Sequence, residues 1–150
     1  MKVLLARPHD FIVAHMRTAV SAVGLEPEVL TALAQLETLR AADFAGAVIS
    51  LAATSSVPAT ALEVFAAVRK KWPTKPIALS GLSSISSARA GLPAELKHLR
   101  LRSVSDPVER SLNAVLYVTD VDLKQTAQQA QQALRAHFDT GSLSSLPPVR

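Results

Sequence analysis

The chain has no cysteine, few aromatic residues (4%), only five glycines in 150 residues, and no long apolar run. Without cysteine it can build neither a disulfide framework nor a thiolate zinc site, which fits a cytoplasmic protein. No stretch approaches the ~20 apolar residues of a membrane helix. The run Met1 to Leu5 meets Arg7-Pro8 and is too short for a secretory signal peptide. The expectation is a cytoplasmic protein with no membrane contact. None of the glycines forms a phosphate-cradling loop of the GxGxxG or Walker type. No Gly-x-Ser-x-Gly elbow presents a serine nucleophile. His9, His15, His98 and His137 lack metal-ligand spacing. The sequence therefore points to no catalytic residue, no metal and no cofactor, and the expectation is a protein that is not an enzyme.

The formal charge is +4 and the isoelectric point about 9.9. A basic chain can attract nucleic acid. Here the basic residues are scattered, and no aromatics interleave with them to make a base-stacking platform. A solvated basic surface is the favoured reading, and nucleic acid is not an expected partner.

What the chain does have is alternation. At 150 residues it suits one domain with a short appendage. Lys2 to Ala6 is a short apolar run with the character of a buried parallel strand. Asp10 is placed to cap a helix with the stripe Ile12, Met16, Ala19, Val20 and Val23, which Gly24 ends. A weaker strand is expected at 28–33, a short helix at 35–42 and a third strand at 47–50. Thr60 and Glu63 form a capping-box pattern before a helix carrying Leu62, Phe65 and Val68, which stops at Trp72-Pro73. Pro76 to Ser80 reads as strand four. A short helix then breaks at Gly91 and Pro93. Leu99 to Arg102 alternates apolar and basic residues, as an edge strand does. Asp106-Pro107-Val108-Glu109 has the pattern of a further helix start. Such alternation implies a parallel sheet with helices on both faces.

In order and spacing these elements resemble the receiver domain of bacterial two-component response regulators, over residues 1–118. The phrases that carry the resemblance are Leu62-Glu63-Val64 with Val68-Arg69, then Trp72-Pro73, then Pro76-Ile77-Ala78-Leu79-Ser80. The resemblance implies a flavodoxin-like α/β fold with a five-stranded parallel sheet of order 2-1-3-4-5, here with an extra C-terminal helix. It also implies acids after strand one that hold Mg²⁺ and a phosphate-accepting aspartate after strand three. This chain has Arg7 and Pro8 at the first place and Ser50 at the second. Mg²⁺ demands hard anionic oxygens, which an arginine cannot supply. A serine is a poor phosphoryl acceptor without an activating base or metal. Ser80 matches the family's hydroxyl after strand four, and Arg102 is aligned with its strand-five lysine, with Lys97 as a competitor. The pattern is that of a degenerate, pseudo-receiver form: a non-catalytic signalling module that works independently of phosphorylation, through protein contacts.

Two other functional readings stay open at the level of sequence. Ligands of such sheets sit beyond the carboxyl ends of the strands, where Arg7, Ser50, Ser80 and Arg102 gather with His9 and serine-rich loops, so the domain could sense an anion. Alternatively, the chain is the N-terminal regulatory domain of a longer protein, with Leu146-Pro147-Pro148 opening a linker to an output domain. For protein partners, Arg89, Lys97, Arg100, Arg102 and Arg110 are expected to form a basic strip that suits an acidic face. Residues 119–138 read as a separate helix beginning near Thr119. Its thin stripe of Leu123, Ala127, Ala130, Leu134 and Phe138 suits self-association as a dimer. The polar, Ser/Pro-rich residues 139–150 are expected to be a disordered tail or linker.

Overall fold

The computed structural model describes residues 1–109 and 111–139; Arg110 and the tail expected beyond Asp139 lie outside the described residues. The apolar runs become strands β1 (Lys2–Arg7), β2 (Glu26–Val29), β3 (Phe44–Ser50), β4 (Ile77–Gly81), β5 (Arg100–Arg102) and β6 (Ala114–Thr119). The helices are α1 (Val13–Ala22), α2 (Ala61–Lys71), α3 (Ile85–Gly91), α4 (Asp120–Gln125) and α5 (Ala127–Phe138). All strand pairs are parallel, and the sheet runs β2-β1-β3-β4-β6-β5. The expected order 2-1-3-4-5 is thus extended by one strand.

Period-two alternation divides the core. Leu4, Ile49, Leu79, Val115 and Tyr117 face one way, under α2 and α3. Val3, Leu5, Val48, Leu116 and Val118 face the other, under α1, α4 and α5. The central strands β1, β3 and β4 are buried almost throughout, which is why their sequences are continuously apolar.

Local signals were kept in some places and overruled in others. Thr60 and Glu63 make the reciprocal capping box, with bonds of 2.9 and 3.1 Å. Gly24 ends α1 in the left-handed region, at φ 82°. Asp10 does not cap α1; the His9 carbonyl accepts from the Ile12 and Val13 amides instead. The helix expected at 35–42 is two 3-10 turns, Leu33–Thr38 and Ala41–Asp43.

The largest departure is at 106–118, where a fifth helix was expected. No helix forms at 106–109 or at 111–118, and Ala114-Val115-Leu116-Tyr117-Val118-Thr119 inserts as a strand between β4 and β5. The run is rich in β-branched and aromatic residues, and burial on both faces outweighs the cap signal at Asp106. The capping box of Thr119 with Asp122 does form, as expected, and opens α4.

Residues 119–138, expected as one separate helix, are the two helices α4 and α5, which meet at Thr126 and pack on one face of the sheet. Leu123, Ala130, Leu134 and Phe138 are buried in the chain's own core, with Ala127 half-buried beside them. The stripe expected to pair with a second copy is already covered from within. Phe138 sits against Gly46 on β3, where an added Cβ would overlap the Pro76 carbonyl oxygen and lie 2.8 Å from the Phe138 ring. Gly46→Ala is therefore expected to lower stability by about 3 kcal/mol through overpacking, read by urea unfolding. A chain ending at Val118 would leave the face of Val3, Leu5 and Leu116 uncovered. It should lose its near-ultraviolet dichroism, whereas a dispensable extension would leave that signal intact.

Candidate functional site

The carboxyl ends of β1, β3 and β4 bring Arg7, Ser50 and Ser80 to one edge, with Ser50 and Ser80 directly in register. Arg7 ends a strand that is buried from Val3 onward, and its own side chain is only 5% exposed. Its guanidinium reaches into the loop between β3 and α2 and donates to backbone carbonyls. Nε bonds Ala59 O at 2.8 Å, Nη1 bonds Ser50 O at 2.8 Å and Ala52 O at 2.5 Å, and Nη2 reaches Ala53 O at 3.4 Å. Burial lowers its pKa from the ordinary value. A guanidinium remains charged under such conditions, because its intrinsic pKa is so high. The site therefore contains a fixed internal cation whose partners are carbonyl dipoles, with no carboxylate bonded to it among the described residues.

The neighbouring hydroxyls complete this lock. Ser50 Oγ accepts from the Ala52 amide at 3.1 Å. Ser55 Oγ donates to the Pro8 carbonyl at 2.6 Å and accepts from the Val57 amide at 3.1 Å, tying the loop after β3 to the loop after β1. The space left between Arg7, Pro8 and Ser80 is about 10 Å³, enough for one water at most. A divalent cation does not fit these residues. The place is filled by a positive group, and among the described residues no three His, Asp or Glu side chains converge as a metal cluster.

Arg102 is elsewhere. The strand beside β4 is β6, which ends at Thr119, so Arg102 on the outer β5 cannot stand in the position of a strand-five lysine. It is 4% exposed. Its Nη2 lies 3.0 Å from His137 Nδ1, and His137 Nε2 lies 2.8 Å from Ile77 O. A carbonyl can only accept, so His137 carries its proton on Nε2 and receives the guanidinium on Nδ1. Arg102 Nε and Nη1 have no hydrogen-bond partner among the described residues. Burial lowers the Arg102 pKa, with Glu109 and Asp106 opposing that shift. The His137 pKa is lowered to about 4, first by burial and then by Arg102 and Arg69, with only the Ile77 bond opposing.

The expected basic strip is thinned by the same habit of arginine. Arg89 donates to Leu101 O on the edge strand at 2.7 Å, and Lys97 caps the end of α3 through Arg89 O and Ala90 O at 3.1 and 2.8 Å. Arg100 pairs with Glu109 at 2.6 Å. Arg89, Lys97 and Arg100 stay exposed, Arg102 is buried, and Arg110 lies outside the described residues.

Sequence reasoning missed Tyr117, because it assigned 106–118 to a helix. The phenol donates to Ser83 O at 2.7 Å beneath Gly81, where any Cβ would overlap the hydroxyl oxygen. Burial raises its pKa, against the Ser83 bonds. It also missed a cleft of about 540 Å³ between the loops after β3 and β4. The signal available was the apolar residues Leu51 and Leu82 in those loops, with Leu92 after α3.

With this geometry in view, the comparisons can be placed. Neither a family model nor a curated protein sequence matches the chain. Among solved structures, the crystal structure of a response regulator receiver protein from Sinorhizobium medicae WSM419 is similar, with a TM-score of 0.54 at 15% identity. The match covers 91% of this chain and 96% of that one. The chain has a receiver-like fold. At that identity the likeness carries the flavodoxin-like architecture and nothing about chemistry.

Two outcomes test the buried cations. Arg7→Met leaves four carbonyls without their donor and should cost roughly 3 kcal/mol, with faster amide exchange concentrated in residues 51–59. Arg7→Lys, whose compact ammonium cannot span the same carbonyls, should fall in between. For His137, the folded pKa of about 4 lies below the ordinary 6.5. As pH falls between those values the unfolded chain gains a proton that the folded chain does not, so stability falls by up to about 3 kcal/mol and then levels off. His137→Gln, which keeps an acceptor and a donor, should flatten that slope in urea titrations across the same range.

Proposed function

We propose that this chain is a signalling module of the pseudo-receiver kind, which acts through contacts with other proteins and does not use phosphorylation. The observation that carries the proposal is the Arg7 guanidinium, fixed on the carbonyls of Ser50, Ala52, Ala53 and Ala59. In the resembling family that edge binds a cation and accepts a phosphoryl group. Here the cation is part of the chain, and the loop is tied down without any ligand. Ser50 supports the same reading, since its hydroxyl accepts from the Ala52 amide, an arrangement that does nothing to activate it as a nucleophile.

The anion-sensing alternative loses its main residue. An arginine that recognises an anion must offer its N–H fork, and that of Arg7 is directed at carbonyls. The depression over the guanidinium also carries Glu63, which would repel an anion.

For docking, the strip reduces to Arg89, Lys97 and Arg100, beside a short edge strand. Their positive charge suits a partner with an acidic face, and such binding should weaken as salt rises. The reading is the same whether the chain works alone or as the regulatory domain of a longer protein.

Incubation with Mg²⁺ and acetyl phosphate, or with beryllofluoride, is expected to leave the mass and the amide spectrum unchanged. Stoichiometric labelling of Ser50 would overturn the proposal. Ser50→Asp should remain inert in the same assay, because Arg7 still fills the metal position. Replacing Arg89, Lys97 and Arg100 together by Glu should remove the partner in pull-downs from the native cell extract while the far-ultraviolet spectrum is retained.

A further inference from the structure

The cleft between the loops after β3 and β4 is not used by the proposed function, and it has the features of a binding site. Its volume of about 540 Å³ falls within the ~300–1,000 Å³ of small-molecule pockets. It lies beyond the carboxyl ends of β3, β4 and β6, the edge at which parallel sheets of this kind bind their ligands. Leu51, Leu62, Leu82, Leu92 and Pro93 form apolar walls. Among the described residues no Asp, Glu, Lys or Arg lines it.

The absence of charge decides the class of ligand. An anion or cation placed there would lose its hydration and meet no counter-charge, a cost no apolar contact offsets. Arg7 cannot serve, because its donors are committed to the loop behind the cleft wall. What the cleft does supply is a defined hydrogen-bond donor. His9 Nδ1 accepts from the Phe11 amide at 3.2 Å, so the ring carries its proton on Nε2, on a side chain that lines the cleft. Ser83 and Ser87 add hydroxyls. The floor is held in shape by Tyr117, whose phenol is bonded to Ser83 O.

We propose that this cleft binds a neutral, mainly apolar small molecule carrying a carbonyl or hydroxyl oxygen, which accepts a hydrogen bond from His9 Nε2. The proposal is independent of how the module signals. A ligand there would touch the loop that Arg7 holds and the loop that leads into α3.

Gly91 makes the test clean. It lines the cleft at the end of α3, and a Cβ added there meets nothing within 4 Å. Gly91→Trp should therefore fold and yet fill the opening, and Thr54→Trp, at an exposed position on the opposite loop, should do the same. The probes are Nile red and acetophenone, two neutral carbonyl compounds of different size, with toluene and inorganic phosphate for comparison, followed by amide shifts in NMR titrations. Saturable shifts at residues 51–54, 81–83 and 91–93 are expected with at least one carbonyl probe, and both tryptophan variants should weaken binding more than tenfold. His9→Phe should weaken the carbonyl probe about fivefold, the loss of one hydrogen bond, while leaving toluene unchanged. The proposal is overturned if neither carbonyl probe saturates, if the tryptophan variants bind as the parent does, if His9→Phe affects toluene equally, or if phosphate shifts the same amides.

Discussion

A charge buried at the end of a strand must find partners, and the shape of this molecule's loop edge follows from the partners that Arg7 finds. Isolated in a low-dielectric edge, a guanidinium would be costly. Its planar fork of five N–H donors can instead gather carbonyl oxygens from widely spaced points of one loop, which a lysine's compact ammonium spans poorly. Four carbonyls meet it, that of Ser50 at the end of β3 and those of Ala52, Ala53 and Ala59 in the segment that follows. That segment is mostly small residues, with Leu51, Val57 and Ala59 packed on the core. The cation organises the loop, and Ser55 then joins it to the loop after β1.

The same device recurs away from that edge. Arg69 gathers Trp72 O, Pro73 O and Lys75 O to close the turn into β4, and Arg89 covers the outer carbonyl of the edge strand at Leu101. These guanidiniums serve as forks for the backbone. A basic composition does not therefore translate into a basic surface of the same size. Arg102 is the exception that shows the rule. It bonds His137 on α5, and two of its donors have no partner among the described residues. His137 also bonds Ile77 O on β4, so its titration bears on the contact between α5 and the sheet.

Much of this architecture was legible in the sequence, and the failures have physical causes. Continuous apolar runs located β1, β3 and β4, because a strand buried on both faces needs no polar face. The caps at Thr60 and Thr119 and the stop at Gly24 were legible because each depends on neighbouring residues only. The strand at Ala114–Thr119 was not. A six-residue apolar run cannot be told from helix by periodicity, and the cap signal at Asp106 belonged to a loop. That one error displaced the rest: Arg102 was aligned with the wrong strand, and the stripe from Leu123 to Phe138 was given to a second copy. Arg7, Ser50 and Ser80 were correctly brought to one edge. What the sequence could not reveal was the direction of the Arg7 fork, since its acceptors are backbone carbonyls that carry no side-chain signature.

The central claim is that a guanidinium of the chain itself holds the loop after β3. Arginine side-chain NMR addresses it most directly, through scalar couplings transmitted across hydrogen bonds. The account predicts a distinct, solvent-protected Arg7 Nε–H resonance coupled to the carbonyl carbon of Ala59 and unchanged when Mg²⁺ is added. A resonance that exchanges rapidly with water, or that moves as Mg²⁺ enters, would contradict it.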